Sequence, residues 1–204
     1  MKVSLKWLKR YVDLPKDLTP EKIAFDLTVR TVEVENVEKM GDKYHDIVVG
    51  KILEVKPHPN ADKLKICITD IGEKSPVQIV CGGCNLYEGE YVVVSKPGSE
   101  VVWHGEGEPV KIKETKMRGE DSYGMICNCD EVYLSEFFPT DDEEVIVDLK
   151  GIDCKPGQNV SEIIEMDDEV IFEIDNKSLT NRPDLWGHLG IARELSAIYE
   201  EPLK

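Results

Sequence analysis

The chain has 204 residues, 41% hydrophobic, 32% charged and 7% aromatic, which fits one large domain or two small ones with a real core and excludes wholesale disorder. Acidic residues outnumber basic ones by 41 to 25, a net charge of −16, and this argues against a protein that grips nucleic acid through a general positive field. No apolar run approaches the roughly 18 residues of a membrane span, and Met1–Trp7 lacks the apolar stretch of a signal peptide, so no membrane partner and a cytoplasmic location are expected.

The first 40 residues read as helix, helix, strand. Ser4 is placed to cap a short helix with Leu5, Leu8 and Val12 on one face, and Asp13-Leu14-Pro15 ends it. Thr19-Pro20-Glu21 starts the next helix, with Ile23, Ala24 and Leu27 as its apolar face. The alternation over Thr31–Glu35 predicts a half-buried strand. Gly41-Asp42-Lys43 marks a break.

Strands are then expected over 46–55, 64–71, 77–81, 91–95 and 110–113, with one helical turn at 130–134 and a closing strand at 143–147. Short strands spaced by Pro, Gly and Asn turns suggest a small closed barrel. The acidic run 141–144 reads as a solvated loop. After Gly151 the pattern returns to α+β, with a helix at 160–164 and a strand at 169–174. A long helix is expected from Pro183 through Leu185, Leu189, Ala192, Ser196 and Tyr199, and Gly187 and Gly190 within it imply close packing. The expected fold is therefore α+β with an inserted all-β domain. Residues 1–40 and 152–204 form the halves of a split domain, and 41–151 form a barrel between them.

Charge is uneven along the chain. Residues 42–150 carry 12 basic and 22 acidic side chains, so any phosphate contact must come from a local patch. One such patch surrounds the stiff turn Lys56-Pro57-His58-Pro59-Asn60-Ala61-Asp62-Lys63 and includes Lys51 and Lys65. A second is Lys111, Lys113, Lys116 and Arg118, opposed only by Glu114. Brought together on one face, the two would bind phosphate. Left apart, they are ordinary solvated lysines beside a tight turn. Arg182 before Pro183 is either a phosphate contact at a helix start or a partner for acids across the domain. Cys81, Cys84, Cys127 and Cys129 are either paired zinc ligands or buried thiols.

Three motifs in order, KPHPNADKLKICITDIGE, QIVCGGCN and KMRGEDSYGMIC, are similar to the tRNA-binding module of aminoacyl-tRNA synthetases, which has an OB-type five-stranded barrel. The flanks VSLKWLKRYVDLP and SLTNRPDLWGHLGIARELSAIYEEPL resemble the N-terminal region of bacterial phenylalanyl-tRNA synthetase β subunits, where such a barrel interrupts a split domain. The resemblance implies a tRNA partner and an α subunit partner in an α2β2 enzyme that joins phenylalanine to its tRNA with ATP and magnesium. It places the aminoacylation centre in the α subunit and the editing site beyond residue 204 of β. No cofactor, catalytic residue or metal ligand is then expected in this chain, which reads as the N-terminal part of a longer subunit. The expected RNA contacts are Lys51, Lys56, His58, Lys63, Lys65, Lys116 and Arg118, with Asn60 and Asn85 at the edge of the face and Ser122 beside it. A free-standing tRNA-binding or chaperone-like module, a small zinc protein and an acid-rich protein-binding module are the alternatives.

Overall fold

Local capping opens the chain in the computed structural model, which describes residues 1–204. Strand β1 (Lys2–Ser4) leads into helix α1 (Leu5–Tyr11), where the Ser4 hydroxyl accepts the Trp7 N–H at 3.1 Å and satisfies an orphan donor of the first turn. Helix α2 (Pro20–Arg30) starts the same way: Thr19 Oγ1 accepts the Lys22 N–H at 3.2 Å, and Pro20 takes the first position, where a missing donor costs nothing. Strand β2 is Val34–Lys39, later than the 31–35 expected from alternation. The Thr31 and Val32 N–H groups both return to Leu27 O at 2.8 Å, so these residues close the helix instead of opening the strand.

The next elements are β3 (Ile47–His58), β4 (Ala61–Asp70), β5 (Val77–Cys81), β6 (Tyr91–Ser95), β7 (Glu100–Val101) and β8 (Val110–Lys111). They are followed by β9 (Thr115–Met117), β10 (Glu120–Ser122), β11 (Met125–Ile126) and the single-turn helix α3 (Val160–Ile163). Strand β12 (Val170–Ile174) and helix α4 (His188–Tyr199) complete the chain. It divides into two compact units, residues 1–42 with 165–204, and residues 43–164.

The first unit is a three-stranded antiparallel sheet, order β1-β12-β2, with helices α1, α2 and α4. Phe172 on the central strand stands opposite Val3 on one side and Val37 on the other, and it is fully buried. Leu8, Leu27, Ile191 and Leu195 from the three helices share its core. The helix expected from Pro183 begins only at His188. Pro183–Leu185 is a single 3-10 turn, and the chain folds back against it. A Cβ on Gly190 would lie 2.0 Å from Asp184 O, so only glycine permits this approach, and a continuous helix would not produce it.

The second unit is built on a five-stranded antiparallel sheet, order β11-β6-β3-β4-β5. Ile52, Cys67, Ile79, Val92 and Val94 form its core. A register shift around Leu53 bends the long strand β3. The closed barrel expected from sequence is not completed by ladder bonds. Edge strands β5 and β11 share no ladder; isolated bonds bind β5 to the β10–β11 stretch, among them Val80 N–H to Ser122 Oγ at 3.0 Å, Tyr123 N–H to Gln78 O at 2.9 Å and Gln78 Nε2 to Asp121 O at 2.8 Å.

The expected closing strand 143–147 is irregular, because side chains take the backbone groups a ladder would use. Asn85 Nδ2 donates to Ile146 O at 3.1 Å, Asn85 Oδ1 accepts the Ile146 N–H at 3.0 Å, and Asn128 Nδ2 donates to Val145 O at 2.7 Å. The expected strand 110–113 shrinks to β8, which pairs with β7 outside the main sheet. Residues 152–164 belong to this unit and not to the flank: Gly157 N–H donates to Val49 O at 2.8 Å and Val49 N–H to Gln158 O at 2.9 Å.

Candidate nucleic-acid interface

Two turns distant in sequence meet in the second unit. His58, at the end of β3, is 6% exposed. Its Nδ1 accepts the Asn60 N–H at 3.0 Å, so Nε2 carries the hydrogen and donates it to Met117 O at 3.0 Å. Asn60 Nδ2 donates to Arg118 O, also at 3.0 Å. His58 and Asn60, at the β3–β4 turn, thus hold the β9–β10 turn by its backbone. There Arg118 (φ +50°) and Gly119 (φ +102°) are both left-handed, as a tight two-residue hairpin requires. Of the two basic clusters read from the sequence, Lys56 and Lys63 flank the first turn, and Lys116 and Arg118 sit at the second.

Three of their cations already have an acidic surface partner. Lys56 lies 2.8 Å from Glu54, Lys63 3.1 Å from Glu144 and Lys116 3.4 Å from Asp121. All three pairs are solvent-exposed, where such contacts are weak and readily exchanged for a phosphate. Arg118, Lys111 and Lys113 are exposed and form no ion pair. Lys65 reaches Cys84 O at 3.5 Å. Lys51 is not gathered with them: it lies about 20 Å back along β3, with its Nζ 5.3 Å from the Tyr91 ring.

Three expected contact residues spend their polar groups on the fold. His58 is the lock described above. Both ends of the Asn85 amide are held by the backbone of Ile146. Ser122 is 2% exposed, and its hydroxyl accepts the Val80 N–H and donates to Gly124 O, each at 3.0 Å. The side chains left to face solvent are Lys56, Lys63, Lys116 and Arg118, with the remainder of Asn60.

Beside them opens a cleft of about 560 Å³ that the sequence did not disclose. Leu64, Ile112, Met117 and Met125 give it an apolar lining, Lys63 and Lys113 line it with cations, and Glu131, Glu143 and Glu144 with acids. Trp103 and His104 complete it, and Trp103 is 50% exposed. Burial raises the Glu131 carboxyl above its ordinary value. A lone Trp followed by the turn-rich His104-Gly105-Glu106-Gly107 was the available signal for this aromatic.

No group of three or more His, Cys, Asp or Glu side chains is placed to hold a metal ion. Burial pushes Cys81 up to about 11 and Cys67 and Cys127 up to about 12, which keeps these thiols protonated. Cys84 is exposed and apart from such a set. In the first unit Arg182 pairs with acids: it donates to Asp184 at 3.0 and 2.9 Å and to Glu194 at 2.7 Å, and these bonds raise its already high pKa.

Comparison with known proteins places these features. Over its full length the chain is 39% identical to the phenylalanine–tRNA ligase beta subunits of Shouchella clausii and Oceanobacillus iheyensis, and 36% identical to that of Bacillus subtilis. It spans about a quarter of these relatives, 24% of their length. Among solved structures, the C-terminal domain of Plasmodium vivax p43 is 27% identical, with 39% of this chain and 43% of that one covered and a TM-score of 0.30. The family described as "Putative tRNA binding domain" matches residues 47–159, which include both locked turns and the whole lining of the cleft, and the chain belongs to that family.

Proposed function

We propose that this chain is the N-terminal, non-catalytic part of a phenylalanine–tRNA ligase β subunit, and that its second unit is an OB-type tRNA-binding domain. Alignment along the entire chain, flanks included, supports the subunit over a free-standing binding module. The observation that carries the RNA reading is the double lock of His58 on Met117 and Asn60 on Arg118, within the tRNA-binding family match. It presents Lys56, Lys63, Lys116 and Arg118 on neighbouring turns of an otherwise acidic chain. A few phosphate contacts in a repelling field give weak, salt-sensitive binding.

ATP, magnesium and an α subunit belong to the reaction of the whole enzyme, and the cytoplasm is its proposed location. No step of phenylalanine transfer is assigned to this chain. Its role is to hold tRNA and to contribute scaffold.

The test is tRNA affinity across a salt series. The exchange of both Lys63→Glu and Arg118→Glu weakens binding at low salt. It also flattens the dependence of log K on log salt by up to about 0.9 for each phosphate no longer neutralised. A double variant with the parent's affinity and slope would move the RNA site elsewhere.

A further inference from the structure

The cleft beside the basic turns differs from them in kind. Its lining is apolar, with Leu64, Ile112, Met117 and Met125, and the exposed Glu143 and Glu144 place carboxylates at it. Carboxylates accept hydrogen bonds from the exocyclic amines of bases, as cytosine N4 and adenine N6 offer them. Trp103 exposes half its surface there. Base–aromatic stacking is tolerant of sequence, because every base has a π-face.

The Trp103 ring is carried on a fixed turn. Val102 N–H donates to Glu131 O at 2.9 Å, Gly105 N–H to Val102 O at 2.9 Å and Glu106 N–H to Trp103 O at 3.2 Å. The turn lies so close to the next that a Cβ on Gly105 would meet Asp130 Cβ at 2.7 Å. The His104 ring meets Trp103 edge-on, with centroids 5.4 Å apart and planes at 88°. A ring held in this way loses little freedom on binding. Lys63, paired with Glu144 at 3.1 Å, and Lys113 also line the cleft.

We infer that this cleft takes one unpaired RNA base, stacked on Trp103, with the phosphate of that nucleotide left outside between Lys63 and Lys113. The inference rests on the tRNA-binding reading and deepens it. The cations supply the salt-dependent share of the affinity, and Trp103 supplies a share that salt does not screen. An acidic, apolar cleft also suits a lysine-rich peptide, but the family match and the two rim lysines favour RNA.

The chain has three tryptophans, Trp7, Trp103 and Trp186, so Trp7→Phe with Trp186→Phe leaves Trp103 as the sole reporter. This 204-residue protein is titrated at low salt with bulk tRNA, with a single-stranded RNA of about ten nucleotides and with a lysine-rich peptide. Both RNAs quench Trp103 fluorescence and the peptide does not. Trp103→Ala lowers RNA affinity about 5- to 150-fold, the range for loss of one base–aromatic stack, and leaves the salt slope unchanged. Trp103→Phe retains most of the affinity, which separates stacking from misfolding. RNA binding that is equal in the parent and Trp103→Ala overturns the cleft inference and leaves the cation face standing. A parent that binds no tRNA overturns both. Quenching by the peptide alone overturns both in favour of protein docking.

Discussion

The two units secure their backbones by different means. In the first, the central strand β12 comes from the C-terminal part of the chain and is flanked by β1 and β2 from the N-terminal part. Its stability depends on close packing between segments that are far apart in sequence, and on tight backbone approaches such as Gly190 against Asp184. Some of its charged groups are matched internally: Arg182 with Asp184 and Glu194, and Asp26 with Lys22, with the Tyr199 hydroxyl also donating to Asp26. In the second unit most strands pair with near neighbours in the chain, and irregular stretches are pinned by polar side chains, Asn85, Asn128, Ser122 and His58. Such pins fix loops without covering them, and this leaves cations and Trp103 at the rim. The first unit also exposes large apolar side chains, Trp7, Phe25, Val29 and Trp186, so what sets the second apart is its polar pins and its row of rim cations.

The sharpest way to break this comparison is Gly190→Ala. The added methyl meets the Asp184 carbonyl at 2.0 Å and backbone must move, at a cost of about 3 kcal/mol or more. Thermal unfolding followed by hydrogen exchange should show early loss of protection in 1–42 and 165–204, with 43–164 retaining its own.

A smaller effect concerns Glu90, which is 1% exposed. Its Oε1 has no partner, and its Oε2 accepts the Tyr87 N–H at 3.1 Å. Burial raises its carboxyl from 4.5 to about 7, helped by Asp148 and opposed by Lys65. The native state therefore keeps a proton that the unfolded chain releases. The stabilisation is complete below pH 4.5 and disappears as pH rises through about 7. The loss amounts to roughly 3 kcal/mol. Glu90→Gln should abolish this slope in denaturant midpoints measured across pH, whereas an unchanged slope would assign it to another group.

Asn85→Ala removes both bonds to Ile146 and should cost about 1–3 kcal/mol in urea unfolding, with hydrogen-exchange protection lost first around 143–148. The smallest effect is Thr19→Ala, about 1 kcal/mol for removal of one cap, confined to the first unit.

What was legible in the sequence was local. Ser4 and Thr19 announce their helices because a cap and its N–H lie within one turn. The Pro-rich turn at 57–59 was visible for the same reason, and so were the two lysine clusters. That the clusters meet was not visible, since it depends on His58 and Asn60 reaching Met117 and Arg118. The segment 143–147 has the composition of a strand. It fails to become one because Asn85 and Asn128, remote in the chain, occupy its backbone groups. His58, Asn85 and Ser122 look like ligand contacts when only their chemistry is known. In the fold their polar atoms are already engaged. Trp103 does not stand out in the sequence because the cleft that gives it meaning is assembled from several separate segments.

The most direct test of the central claim, that the second unit holds tRNA through its turns and cleft, is photochemical crosslinking of tRNA to the whole chain at low salt, followed by peptide mapping. The account predicts crosslinks within 56–65 and 103–118, with Trp103 among them and none in 1–42 or 165–204. Crosslinks confined to the first unit, at Trp7 or Trp186, would contradict it.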